Sequence, residues 1–144
     1  MSKNRSEDVW LDPETGLMWQ TATSDNKIDW KDVGRYAEQL NQLNYGGYSD
    51  WRVPTVFELE TLNTEKPYFI KGGPSSGIFI KEPLLHSMDF DRQSFWTSNQ
   101  ADEIDGNRRA RTFLVNFFYA KRKPHSDSHS GYACYSKYVR CVRY

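Results

Sequence analysis

Two short basic strings are the residues of this sequence best suited to hold a ligand. Arg108-Arg109-x-Arg111 and Lys121-Arg122-Lys123 stand at opposite ends of a hydrophobic stretch centred on Phe113. Guanidinium forks take sulfate or carboxylate groups bidentately, and ammonium groups act as point charges, so both strings suit an anionic partner. The chain as a whole is neutral, with 19 Lys+Arg against 19 Asp+Glu. The charge is nevertheless unevenly spread: residues 101–144 hold nine basic against four acidic side chains, and residues 1–100 hold ten against fifteen. Arg108, Arg109, Arg111, Lys121, Arg122 and Lys123 are therefore the expected ligand-binding set. The competing reading is ordinary solvated charge at strand ends. Zero net charge argues against a nucleic-acid partner, whose backbone rewards a strongly basic surface.

Catalytic chemistry finds less support. Two cysteines, Cys134 and Cys141, cannot form a disulfide scaffold or a four-ligand zinc site by themselves. Cys141 lies in an apolar strand, where a thiol behaves as a small hydrophobe. His125 and His129 are four apart but lie in a Ser/Lys-rich turn, and His86 stands alone. Asp102-Glu103-Ile104-Asp105-Gly106-Asn107 offers several oxygens without the spacing of a helix–loop–helix calcium site, and reads as a solvated acidic turn. Neither a Gly-x-Ser-x-Gly elbow nor a phosphate-cradling glycine loop occurs. The expectation is no enzyme, no cofactor and no metal.

A scaffold must position the basic strings, and the aromatic content supplies its core. Five Trp, nine Tyr and eight Phe each bury roughly 150–250 Å². Val9-Trp10-Leu11 and Leu17-Met18-Trp19 flank Asp12-Pro13-Glu14-Thr15-Gly16 and predict a β-hairpin. Trp30, Val33, Ala37, Leu40 and Leu43 share one helical face, with Asp29 at the N-cap position and Gly46-Gly47 as the stop. Thr55-x-x-Glu58 is a capping box that opens a short second helix. Residues 64–93 carry Pro67, Gly72-Gly73-Pro74 and Pro83 without a sustained period, and read as a long loop. Strands follow at Phe95-Trp96-Thr97, at Arg111–Phe118 with Phe113, Val115 and Phe117 on one face, and at Tyr138–Arg143. A polar connection over Asn99–Asn107 and a basic turn over Ala120–Gly131 separate them. Helices early and strands late imply one α+β domain over 9–144, with 1–8 as a flexible polar lead-in. No apolar run approaches the ~20 residues of a membrane span, and no signal peptide opens the sequence.

Several separated strings fit one family together. They are Asp12-Pro13-x-Thr15-Gly16-Leu17-Met18-Trp19, then Gly46-Gly47-Tyr48-Ser49-Asp50-Trp51-Arg52-Val53-Pro54-Thr55 with Glu58-Leu59, then Phe95-Trp96-Thr97-Ser98, and Tyr138-Val139-Arg140-Cys141-Val142-Arg143. Their order resembles the bacterial Lcl C-terminal domain family, named for the end domain of a collagen-like adhesin. The resemblance covers residues 9–143. It implies a C-type-lectin-like fold with two early helices, a small twisted antiparallel sheet and long loops. It also implies an extracellular or cell-envelope setting, and binding of sulfated polysaccharide by a homotrimer. Lectins of that build that use calcium carry Glu-Pro-Asn or Gln-Pro-Asp and Trp-Asn-Asp triplets; Glu82-Pro83-Leu84 departs from the first and the second is absent. Sulfatase-modifying relatives oxidise substrates with a late cysteine pair. Cys134 and Cys141 would lie about 23 Å apart on one extended strand, far beyond disulfide reach, and Tyr135-Ser136-Lys137 contains no turn former. Both thiols are expected unpaired.

The motif residues themselves read first as scaffold: Trp19, Trp51, Thr55, Trp96 and Cys141 in the frame, with Asp50 and Arg52 as a polar brace around Trp51. The leading functional expectation is a non-enzymatic domain that binds a polyanionic glycan or a host or surface protein. Its rival is an oligomerisation or protein-interaction module whose ligand is chosen by residues 64–93.

Overall fold

The computed structural model describes residues 8–92, 94–104, 110–118, 128–132 and 136–144; over 99–104, 110–113 and 128–132 the description is of the backbone. The chain opens with β1 (Val9–Leu11) and β2 (Met18–Gln20), an antiparallel hairpin with Trp10 opposite Trp19. Its turn is closed by the Asp12 carbonyl, which accepts from the Thr15 and Gly16 N–H groups, and Gly16 takes φ +77°. Only glycine adopts that conformation cheaply.

A two-residue strand, β3 (Ile28–Asp29), runs through a 3₁₀ turn at Trp30–Asp32 into α1 (Val33–Gln42). Val33, Ala37 and Leu40 are buried as the spacing predicts, but Leu43 is exposed. The helix has ended by then: Asn44 turns left-handed at φ +50°, which carries the chain away before another turn can form. Asp29 does not cap with its side chain; its Oδ1 accepts instead from the Ser136 hydroxyl at 2.6 Å. At α2 (Val56–Glu60) the capping box is complete. Thr55 Oγ1 accepts from the Glu58 N–H at 3.1 Å, and Glu58 Oε1 accepts from the Thr55 N–H at 2.9 Å.

Residues 64–93 are not one long loop. They hold most of β4 (Asn63–Tyr68), all of β5 (Ile78–Ile80) and a 3₁₀ helix over Glu82–Ser87. Pro67 within β4 removes a ladder donor, and β4 pairs β5 with a register shift, so no regular alternation marks it in sequence. Ile78, Phe79 and Ile80 are all buried, a run rather than an alternation.

Two further connections also prove to be strand. β6 (Ser94–Ile104) continues through most of the expected polar linker, and β8 (Ser128–Tyr132) occupies the end of the expected basic turn. Both pair antiparallel with β7 (Ala110–Asn116), giving the order β6-β7-β8. Of the last strand expected over Tyr138–Arg143, Val142–Arg143 forms β10, and a separate two-residue strand, β9 (Ser136–Lys137), precedes it. β9 pairs β3, and β10 lies beside β2 in a sheet ordered β1-β2-β10. The architecture is mixed α+β with several small antiparallel sheets rather than a single one.

Two hydrophobic clusters lie on either side of β6 and β7. Phe95 and Val115 enter one with Trp19, Leu59, Ile78, Ile80 and Val142; their neighbours Trp96 and Leu114 enter the other with Val33, Leu40, Trp51, Val139 and Cys141. Strand alternation sends successive side chains to opposite faces, and over Phe95–Trp96 and Leu114–Val115 the side chains on both faces are buried. Of the residues expected on one face, Val115 and Phe117 are buried, and Leu114 and Asn116 between them are buried as well. Among the described residues no helix is long and apolar enough to cross a membrane.

Candidate functional site

The Gly46–Thr55 string builds a brace around Trp51. Gly46 is left-handed at φ +63°, and a Cβ there would stand 2.6 Å from Val9 Cγ1, so both its conformation and its contact demand glycine. Trp51 is buried. Its Nε1 donates to the Tyr45 carbonyl at 2.9 Å, and Tyr45 and Tyr48 meet its ring edge-on. The amide of Asn41, the next-to-last residue of α1, grips the Trp51 backbone twice: its Oδ1 accepts from the N–H (2.6 Å) and its Nδ2 donates to the carbonyl (3.0 Å). The two charged neighbours turn to different partners. Arg52 presents a bidentate fork to Glu58, at 2.7 and 2.8 Å, and covers the Tyr144 ring. Asp50 accepts from Arg143 at 2.5 and 3.1 Å, and the Arg143 guanidinium lies 3.9 Å from the Tyr48 ring centre. The expected brace is present, although its Asp50 end is exposed.

The strongest electrostatic feature was not singled out from sequence. Arg140 is fully buried, yet no carboxylate is among its hydrogen-bond partners in the described structure. Its Nη1 donates to the carbonyls of Gln20, Thr21 and Ala22 at 2.8, 2.7 and 3.1 Å. Its Nη2 donates to Ser87 Oγ at 2.6 Å and reaches Met88 Sδ at 3.7 Å, and the guanidinium rests over the Phe95 ring. Burial lowers its pKa to about 9, so the group is charged at neutral pH and neutralised only by dipoles and a ring face. Phe95 in turn meets Tyr138, whose opposite partner is Arg92, 4.6 Å from the ring centre. Arg92 binds Asp89 Oδ2 and Thr23 Oγ1. Two arginines thus tie residues 20–25 to residues 87–92 across a pair of aromatic rings. The one sequence signal was Arg140 between Val139 and Cys141, a cation inside an apolar run.

Cys141 is a free thiol, buried beside Trp51 and Trp96, and burial alone pushes its pKa up to about 12. Thiolate chemistry needs a depressed value and access; this thiol has neither. Its backbone N–H donates to Gln20 Oε1, while Gln20 Nε2 donates to the Tyr36 hydroxyl at 2.6 Å. Burial also drives the Tyr36 phenol well above its ordinary range. Among the described residues no three His, Cys, Asp or Glu side chains gather as a metal site.

Of the six basic residues expected to bind ligand, Arg111 lies on β7 opposite Tyr132. Arg108, Arg109, Lys121, Arg122 and Lys123 lie outside the described residues, as does Cys134. The first pair falls in the chain between β6 and β7, and the Lys121–Lys123 string falls between β7 and β8, so they attach to opposite ends of β7. Trp19, Trp51 and Trp96 are buried and Thr55 caps α2, as expected of scaffold.

The geometry defines a class: a mixed α+β domain whose characteristic arginines, tryptophans and glycines are engaged in holding two cores together. The family model of the Lcl C-terminal domain matches residues 8–143, and the chain belongs to that family. No match was found among curated proteins.

Proposed function

We propose that this domain is a non-enzymatic binding module of C-type-lectin-like build that works at the bacterial surface, where it recognises a sulfated or carboxylated glycan. The observation that carries the reading is the engagement of the motif arginines. Arg52 and Arg143 are forked onto carboxylates and Arg140 is buried, so these motif arginines are engaged within the domain, and the reading assigns anion binding to Arg108, Arg109, Arg111 and the Lys121–Lys123 string. The buried, unreactive setting of Cys141 supports a role without catalysis. A homotrimer would repeat both basic groups around an axis and raise weak single contacts by ~10²–10⁴ through avidity.

Heparin-affinity chromatography at stepped salt tests the proposal. Replacing Arg108, Arg109 and Arg111 together by Glu should abolish retention, with Tm measured alongside so that lost binding is separated from lost folding. Undiminished retention, or binding indifferent to salt, would overturn it. The second reading, a protein-interaction module, is favoured by Phe69 and Phe90, which are 68% and 59% exposed within the 64–93 segment. It predicts a partner whose binding persists at high salt and is lost in Phe69→Ser.

A further inference from the structure

The turn of the first hairpin holds three groups whose placement the binding function leaves unexplained. Asp12 is 1% exposed although it is a carboxylate. Its Oδ2 accepts from Lys81 Nζ at 2.7 Å, while its Oδ1 accepts from the Glu14 N–H at 3.0 Å. Lys81, at the exit of β5, has a side chain only 16% exposed, and the Glu14 carboxylate closes on the same Nζ from the solvent side, itself 74% exposed. Sixty-nine positions separate Asp12 from Lys81. Both backbones are fixed: Asp12 N–H donates to the Leu17 carbonyl and Lys81 N–H to the Leu62 carbonyl.

These are the parts of an acyl-transfer site. A 2.7 Å hydrogen bond to one carboxyl oxygen leaves the amine nitrogen about 3.5 Å from the carboxyl carbon, the outer distance for attack, and the nitrogen has then to swing from the oxygen lone pair to the face of the carboxyl group to align with it. The Glu14 N–H points at the oxygen on which negative charge would develop during attack. The Glu14 side chain touches the nucleophile and reaches water, so it can take a proton from the nitrogen and deliver one to the departing oxygen. We propose that Lys81 and Asp12 become joined by an intramolecular amide bond, with Glu14 as the proton carrier.

The reaction balances without any outside reagent. Burial opposes the charge on Lys81, but the contacts with Asp12 and Glu14 outweigh it and hold the group protonated above its ordinary range. The first step is therefore transfer of one ammonium proton along the hydrogen bond to Asp12 Oδ2, which sets a neutral amine beside a neutral carboxyl group. Nζ then attacks Asp12 Cγ, Glu14 takes a second nitrogen proton and hands it to the same Oδ2, and that oxygen leaves as water. One C–N bond forms, one C–O bond breaks, and an ammonium–carboxylate pair becomes a neutral amide. In bulk water the equilibrium opposes such a condensation. An effective molarity of roughly 10⁵ M or more between fixed groups reverses that balance, and a buried neutral amide escapes the desolvation cost of a buried ion pair.

Intact-mass spectrometry of the folded, purified chain decides the matter. The expected mass is one water, about 18 Da, below that of the sequence, and proteolysis should yield a branched peptide joining the Asp12 and Lys81 segments. Lys81→Arg and Asp12→Ala should each show the full mass. Glu14→Gln should slow bond formation by about 10²-fold, the usual contribution of a positioned proton carrier. A wild-type chain at full sequence mass after prolonged incubation, with Lys81 as open to amine labelling in the unfolded state as other lysines, would overturn the proposal. So would a water loss that maps to one linear peptide, the signature of a succinimide. Both readings come from the wild-type chain, so a variant that fails to fold does not blunt the test.

Discussion

Replacing Arg140 by alanine should be the most damaging single change in this domain. Its two terminal nitrogens serve three backbone carbonyls and the Ser87 hydroxyl, with the bonds to Gln20 and Thr21 fully buried and those to Ala22 and Ser87 partly so. A charged donor in such a bond contributes about 1.5–3 kcal/mol net. Against that stands a desolvation cost of several kcal/mol for a buried guanidinium without a carboxylate partner. Arg140→Ala removes both terms, leaves up to four acceptors without this donor and opens a cavity beneath Phe95. The sum of orphaned acceptors and lost packing comes to about 3–5 kcal/mol. For a chain of this size that lowers Tm by about 12–20 °C, taking about 4 °C per kcal/mol. Urea unfolding monitored by tryptophan fluorescence gives the measurement, with the midpoint shifted and the slope unchanged. Arg140→Met restores much of the volume without donors and should fall between wild type and Ala. A cost below about 1 kcal/mol for Arg140→Ala would refute the reasoning, because the cage would then contribute nothing that its removal exposes.

Other expectations follow from the same geometry. Thr55→Ala should cost about 1 kcal/mol, read from the urea midpoint, because both arms of the capping box are made. Burial pushes the Glu58 carboxyl upward, but the Arg52 fork and the Thr55 bonds outweigh it and hold the group below its ordinary value. Its contribution is therefore complete above the ordinary carboxylate range and is lost as pH falls through the lower folded-state pKa; Glu58→Gln should flatten that acid limb in unfolding curves between pH 7 and 3. Cys141 should resist iodoacetamide in the folded chain and react once it is unfolded. Because burial raises its pKa from 9.0 to about 12, the unfolded chain releases the thiol proton first, so the thiol's own contribution to stability declines as pH rises across that interval, while Arg140, lowered to about 9, contributes in the opposite sense. Cys141→Ala should remove the thiol's share, read as the difference between its unfolding curves and those of the wild type.

What could be read in the sequence was what neighbouring residues decide among themselves. Thr55 and Glu58 are three apart and satisfy each other, so their box was visible before any packing was known. The Trp30–Leu40 spacing likewise marked α1, and the large aromatics marked the core. Contacts supplied from far along the chain were hidden. Asp29 forgoes its capping role for Ser136, more than a hundred positions away. β4 disguises itself with Pro67, Glu65 and Lys66 because its outward positions are exposed. Arg140 stood in the sequence only as one member of the Tyr138–Arg143 string, and the carbonyls of Gln20, Thr21 and Ala22 that hold it in the interior lie more than a hundred positions away. The basic ligand set was legible as composition alone, since charge density says nothing about which loops converge.

The run from Ser136 to Arg143 has a bearing on how the domain is made. It pairs with β3 through β9 and with β2 through β10, bridges to Arg52 and Phe95, and supplies Arg140 to the loops on either side. Every one of these partners is translated earlier. At roughly 5–20 residues per second, the ribosome will have released the partners for seconds before the piece that joins them emerges. Until then, neither core has its closing side chains, Val142 for one and Val139 with Cys141 for the other. A nascent domain of this design stays open until its last few residues are delivered, and in that interval a chaperone or a translocation channel meets it as an unfolded chain.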